Sequence, residues 1–224
     1  MSQFKYPRGA LGHIVGWIMA AKNRERNHWP INLLDLRKED QVLEIGFGPG
    51  WALQQIAART TQGFIARVDP SPVMMQQASA RNAAGIRAGR IELRRGANGG
   101  ANAPLPYGEA RFDKVLAVNS MQFWPDAVEG LQEVTRVLKP GGRAVITIQP
   151  MWVKADDEAR AVGNELIRQL TQAGFRQIRL ETFALETAGA ERHRAEVTEG
   201  EAATVAKSAK RCYSSLHIDW ACCD

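Results

Sequence analysis

No apolar stretch in this chain approaches the roughly 20 residues that a bilayer-spanning helix needs, so no membrane span is expected. Cysteine is scarce as well. Cys212, Cys222 and Cys223 are bunched at one end and lack the spaced pairs of a structural zinc site. An odd number so placed is a poor disulfide framework and reads as reduced thiols. The opening residues, MSQFKYPRGA, do not have the basic-then-apolar layout of a signal peptide. Together these absences lead to the expectation of a cytoplasmic protein. A clear basic stripe is missing too. The formal net charge is +5, but the basic residues are scattered, and Arg87, Arg90, Arg94 and Arg95 form the densest run. That distribution argues against a nucleic-acid partner. No metal-ligating cluster stands out.

What is present suits one ample globular domain: 224 residues, 45% apolar and 24% charged. Residues 10–22 predict a helix, with Leu11, Ile14, Val15, Ile18 and Met19 on one face. Gly12 and Gly16 weaken it, so it needs a partner surface. From Gln41 the pattern changes to alternating strands and helices. Strands are expected at 41–45, 63–68, 91–94, 113–118, 142–148 and 175–185. Helices are expected from Trp51 to about Arg59, from Pro72 to about Gly85, and over 127–138 and 156–173. Ser71 suits an N-cap and Pro72 the first helical position. Such alternation implies a doubly wound, mostly parallel α/β sheet that binds ligands at its carboxyl edge. We assign a single domain over 1–224: an N-terminal helical cap over 1–40, a core over 41–186 and an atypical tail over 187–224.

The chemistry concentrates in the run Val42 to Gly50, VLEIGFGPG. A glycine-rich turn between a strand and a helix lets backbone approach a ligand closely. A dinucleotide site needs G-x-G-x-x-G, whereas here the glycines run G-x-G-x-G and Trp51 fills the sixth position. An indole there would obstruct close helix–strand packing beside a pyrophosphate.

The same run resembles the first motif of the class I S-adenosylmethionine-dependent methyltransferases. Further runs are similar to that family's motifs in the same order: Val68 to Pro72 with Met74 and Met75, Phe112 to Trp124, and Val134 to Gly142. The resemblance spans roughly residues 10–185 and points to bacterial small-molecule enzymes related to the quinone-biosynthesis C-methyltransferases. It implies a Rossmann-like fold with an N-terminal helical lid, and S-adenosylmethionine as cofactor. Gly46, Gly48 and Gly50 would pack against the donor's amino acid end, with Glu44 assisting through hydrogen bonds or water. Asp69, in a motif that includes Pro70 and Met74, would accept the ribose hydroxyls. The family's acidic residue after the third strand is absent. Asn98 stands nearby, either as a substitute acceptor for the adenine amino group or as a plain turn residue. Asn119 ends the fourth strand near the donor amino group and the acceptor. Its Asn-Ser-Met-Gln context is unlike the Pro-Pro motif of base methyltransferases.

Phe123 and Trp124 form either an apolar acceptor wall or core. His13 is the candidate general base if the nucleophile must lose a proton, against the alternative of a surface or packing histidine. Tyr6, Trp17, Asn23 and Asn27 are candidate lid contacts to the substrate. The expected activity is methyl transfer to a small-molecule acceptor by in-line displacement. The alternatives are an RNA or protein methyltransferase, or a methyltransferase-like binding protein without catalysis. An exposed lid helix would suit a homodimer. In the tail, the fold calls for a seventh strand paired with the sixth. Residues 216–222 offer a late one, and Ala190–Arg211 reads as either helical or disordered.

Overall fold

A computed structural model describes residues 24–46, 48–96, 104–148, 156–184 and 212–219. In chain order the elements begin with α1 (Arg24–Leu33), β1 (Gln41–Ile45) and α2 (Trp51–Arg59). Next come β2 (Phe64–Asp69), α3 (Pro72–Arg81), the short α4 (Ala83–Arg87), β3 (Ile91–Arg95) and β4 (Phe112–Val118). A 3₁₀ turn (Met121–Phe123), α5 (Ala127–Val137), β5 (Leu138–Ile148), α6 (Asp156–Gln172), β6 (Ile178–Ala184) and β7 (Cys212–Asp219) complete the series.

The strands form one seven-stranded sheet in the order β3-β2-β1-β4-β5-β7-β6. β1 to β5 pair in parallel. β7 runs antiparallel to both β5 and β6. The order reverses at β1, which lies between β2 and β4, and that switch point opens the ligand crevice of such sheets.

The pleat sends successive side chains to opposite faces, and each face builds its own core. Leu43, Ile45, Ala66, Val68, Val115, Ala117, Ala144 and Ile146 join Leu131, Val134 and Val137 of α5 and Leu166 and Leu170 of α6. On the other face Val42, Ile65, Leu116 and Val145 pack with Ile31, Leu34, Leu53, Ile56 and Ala78. No helix among the described residues is long and apolar enough to cross a membrane.

Several boundaries differ from the sequence reading. α1 falls within the helical cap expected over 1–40, but no separate helix was placed at 24–33; Pro30 sits inside it and its residues show little apolar periodicity. Ile31 and Leu34, fully buried, anchor this segment to the sheet, and Arg143 of β5 donates to the Leu33 carbonyl at 3.2 Å. The expected helix ending near Gly85 stops at Arg81. Asn82 turns its side-chain amide onto the Ala78 carbonyl, and α4 follows as a separate turn. β5 starts four residues early, at Leu138, because Phe112 pairs with Leu138 ahead of a register shift that resumes at Lys114 with Arg143. β6 is shorter than expected: Phe175 precedes it and is buried as an apolar anchor. The seventh strand spans Cys212–Asp219 rather than 216–222, with the Leu216 backbone opposite Leu180 on one side and Ile146 on the other. The expected helix over 10–22 and the question over Ala190–Arg211 lie outside the described residues.

One glycine of α5 shows how closely this face packs. A Cβ on Gly130 would fall 2.4 Å from Cε3 of Trp124. Gly130→Ala should therefore lower stability by about 1–3 kcal/mol, the usual cost of overpacking, despite alanine's better helix propensity. A thermal melt checks this, and an unchanged or raised midpoint would contradict it.

Candidate functional site

The carboxyl ends of β1, β2 and β4 converge on the glycine-rich loop. Gly50 ends that loop in the left-handed region (φ +81°) and starts α2. A Cβ there would lie 2.7 Å from Cα of Ala78 on α3, so glycine alone allows both the turn and the close approach. Trp51, next in sequence, is 8% exposed and meets His28 of α1 edge to face at 4.9 Å.

Side chains from β2 and α3 tie down the loop's carbonyls. Nη2 of Arg67 donates to the Gly46 carbonyl at 2.7 Å and to the Gly48 carbonyl at 2.5 Å. Nε of Arg81 donates to Pro49 at 3.1 Å, and Nδ2 of Asn82 to Gly50 at 3.0 Å. The loop's own N–H groups are also used. Gly46 donates to the Val68 carbonyl at 3.2 Å, and Gly48 donates to Oδ2 of Asp69 at 3.3 Å.

Arg67 lies at the centre. It faces Glu44 in the β1–β2 register, and Asp69 is two residues on, so all three side chains share one sheet face. Its Nη1 meets Oε2 of Glu44 at 3.0 Å, and its Nη2 meets Oδ2 of Asp69 at 2.5 Å. Arg67 and Asp69 are fully buried, and Glu44 is nearly so. Burial pushes both carboxyls above their ordinary range, and the adjacent guanidinium opposes the shift without cancelling it. Desolvation pulls Arg67 down, but Glu44 and Asp69 outweigh it and hold the guanidinium protonated.

This geometry bears on how Asp69 can hold a diol. An ionised carboxylate offers about four acceptor positions. Oδ2 serves Gly48 and Arg67, and Oδ1 accepts from the Ser71 N–H at 2.9 Å. About one position is left, so both ribose hydroxyls cannot be accepted while Arg67 holds Oδ2. Ser71 itself caps α3 by accepting from the Met74 N–H. Pro70 is half-buried, and Met74 is 1% exposed, packed beneath the turn.

At the end of β4, Asn119 adopts φ +50°, a conformation asparagine tolerates better than most residues. Its N–H donates to the Thr147 carbonyl at 2.9 Å. Its Oδ1 is buried and has no hydrogen-bond partner among the described residues, nor has Oγ1 of Thr147. Buried orphan acceptors are rare and suit a ligand that brings donors, such as an ammonium group. Ser120 joins the two strand ends by donating to the Ile45 carbonyl at 2.9 Å.

Of the two aromatic candidates, Trp124 is 7% exposed and lies in the core against Gly130, while Phe123 is half-buried on the 3₁₀ turn. The structure therefore brings together Glu44, Gly46, Gly48, Gly50, Asp69 and Asn119, and sets Trp124 inside the core. Tyr6, His13, Trp17, Asn23 and Asn98 lie outside the described residues, as does the side chain of Asn27. Sequence reasoning missed Arg67, Arg81, Asn82 and Ser120. A signal existed for Arg67: an arginine in step with Ile65 in the otherwise apolar run FIARV must point into the protein.

Comparison with known proteins places this geometry in context. Residues 42–142 match the family model described as a methyltransferase domain. The chain is 37% identical over 169 residues to the uncharacterized methyltransferase YdaC of Bacillus subtilis, across 74% of this chain and 87% of that protein. It is 30% identical over 128 residues to the ubiquinone/menaquinone biosynthesis C-methyltransferase UbiE of Geotalea daltonii. That match covers 55% of this chain and about half (52%) of the relative's length. A crystal structure of a SAM-dependent methyltransferase from Aquifex aeolicus superposes with a TM-score of 0.61 at 16% identity, covering 87% of this chain and 89% of the other.

Asn82 offers a test of the loop anchoring. Asn82→Ala removes one side-chain hydrogen bond to each of the Gly50 and Ala78 carbonyls, which keep their bonds from the Gln54 and residue-82 N–H groups, and should cost about 1–3 kcal/mol for the two lost hydrogen bonds. Urea denaturation reads this as a lower midpoint, and an unchanged midpoint would refute the anchoring.

Proposed function

The chain belongs to the class I S-adenosylmethionine-dependent methyltransferases, and we propose that it methylates a small organic acceptor by in-line displacement, with the donor held between the glycine loop, Asp69 and Asn119. S-adenosylmethionine is the cosubstrate of this enzyme family. It supplies a methyl group already activated by the adjacent sulfonium, so the acceptor's lone pair forms the new bond as the carbon–sulfur pair departs to sulfur. The protein's work is then alignment and exclusion of water.

The observation that carries this reading is the unpartnered Oδ1 of Asn119, at the end of β4 beside the switch point. An acceptor there fits the donor's ammonium group. Asp69 accepts a ribose hydroxyl through its remaining position, and Glu44 acts through the loop rather than on the ligand, since its carboxylate faces Arg67. Pro70 and Met74 shape the turn that carries Asp69. Gly46, Gly48 and Gly50 provide close backbone approach. Phe123 is an apolar contact for the acceptor. The N-terminal residues Tyr6, Trp17 and Asn23 are lid contacts in this reading, with His13 as the base where the acceptor must lose a proton. Asn98 serves the adenine edge. A small organic acceptor is supported by the relative named as a C-methyltransferase of ubiquinone/menaquinone biosynthesis.

Calorimetric titration with S-adenosylmethionine should show micromolar binding that Asp69→Ala weakens by about 10-fold or more, the worth of one hydrogen bond to a charged group. Methyl-label transfer to a panel of hydroquinones, phenols and amines should then reveal the acceptor class. Full donor affinity in a folded Asp69→Ala protein would sink the assignment of Asp69. No donor binding by the folded wild type would favour a binding protein without catalysis.

A further inference from the structure

We propose that Arg67 is the positioning residue of the donor site: it ties Glu44, the loop carbonyls and Asp69 into one cradle, and cedes an Asp69 acceptor position to a ribose hydroxyl when the donor binds. This rests on the donor reading of Asp69 given above.

The argument starts from a mismatch in hydrogen-bond capacity. Nη2 of a guanidinium carries two hydrogens. Around Nη2 of Arg67 stand three acceptors: the Gly46 and Gly48 carbonyls and Oδ2 of Asp69. Nε meanwhile is buried and makes no hydrogen bond. The crowded nitrogen can release Asp69 and keep both hydrogens bonded to the loop. The Glu44 contact runs through Nη1 and does not change. Release of Oδ2 raises the free acceptor positions on Asp69 from about one to about two, the number a ribose diol requires. The cradle thus holds Asp69 in place until the ligand supplies the replacement donor, while the arginine keeps its loop carbonyls and Glu44.

Charge points the same way. Glu44 and Asp69 against Arg67 leave one net negative charge in a water-excluded site, and the donor carries one net positive charge. That count takes both carboxyls as ionised, and two further guanidiniums nearby keep their positive charge but are solvent-exposed, where water and salt screen them. Arg95 of β3 is opposite Asp69 in the register but exposed, and Arg81 of α3 is engaged with Pro49. Without the guanidinium, two buried carboxyls would face each other unopposed. Burial already pushes both upward, and losing the cation pushes them further. A protonated Asp69 has fewer acceptor positions, so donor affinity would fail at a higher pH.

Arg67→Met and Arg67→Lys in the full chain, compared with wild type, test this. Calorimetry with S-adenosylmethionine and S-adenosylhomocysteine would run across the whole pH range over which each protein stays folded, with a thermal melt as the folding check. Arg67→Met should bind about 10-fold more weakly even at the alkaline end, and its acid-side loss of affinity should begin about one pH unit higher. Arg67→Lys should return the acid limb to its wild-type position but not the affinity, because one ammonium cannot bridge Glu44, two carbonyls and Asp69.

Equal weakening of Arg67→Met at every pH, without a shift of the acid limb, would overturn the proposal, and so would unchanged binding. Should Arg67→Met fail to melt cooperatively, Arg67→Lys decides alone. Weaker binding with an unmoved acid limb upholds the role, and wild-type affinity overturns it. A wild type that binds neither nucleoside removes the donor reading itself, an outcome distinct from a wild type that binds and variants that match it.

Discussion

A fully buried guanidinium between two carboxylates is costly to assemble, and in this protein the site depends on it. Desolvating such charges costs several kcal/mol per ion, recovered only where geometry and hydrogen bonds are complete. Arg67 meets that condition in part: it faces Glu44 across β1–β2 and reaches the Gly46 and Gly48 carbonyls beyond it, while its Nε stays without a partner among the described residues. Strand register places the pair side by side, and the loop closes over them. Removing one member of a buried pair leaves an uncompensated charge worth about 3–5 kcal/mol. The loop conformation is thereby coupled to the integrity of the sheet.

That coupling explains how the two ends of the sheet differ. At the amino ends of the strands, Asp113 accepts from the Gln41 N–H at 2.8 Å and pairs with Lys139 at 2.9 Å, joining β1, β4 and the start of β5. These contacts are partly exposed, and exposed pairs of this kind contribute little individually. At the carboxyl ends the charges are buried, and orphan acceptors gather at Asn119 and Thr147. Two further groups unpartnered among the described residues, Tyr107 Oη beside Phe112 and Trp124 Nε1 in the core, lie apart from that edge.

The parallel core was legible because its strands are short apolar runs ended by turn residues, and its helices bury regular faces. Val42–Ile45, Phe112–Val118 and the apolar stripe of Leu131, Val134 and Val137 needed no structure to find. Within the helical cap expected over 1–40, the bounds of α1 were illegible: Pro30 is unfavourable inside a helix, and tertiary packing of Ile31 and Leu34 overrides it. β7 was displaced by four residues because an antiparallel strand between two others takes its register from both neighbours, not from its own composition. In the site, motif residues were found by resemblance. Arg67, Asn82 and Arg81 were not: the step of Arg67 with Ile65 marks it as inward-pointing but not its partners, and Asn82 and Arg81 act on backbone carbonyls, a role that leaves no spacing pattern in a sequence.

The same distinction separates donor from acceptor. On the proposed reading, donor recognition uses backbone and a few carboxylate and amide groups fixed at strand ends, and strand ends are set by the sheet. Every described carbonyl of the loop from Gly46 to Gly50 is bonded inward by Arg67, Arg81 or Asn82. The loop's shape is therefore held by the protein's own side chains before any ligand arrives, which reduces the ordering cost of binding. The acceptor side has no comparable constraint. Trp124 is committed to the core by its packing on Gly130, which leaves the half-buried Phe123 as the sequence-identified aromatic at the end of β4. On the proposed reading, acceptor choice falls to residues outside the sheet. A rigid donor cradle of this kind can therefore serve many acceptors without changing its own geometry.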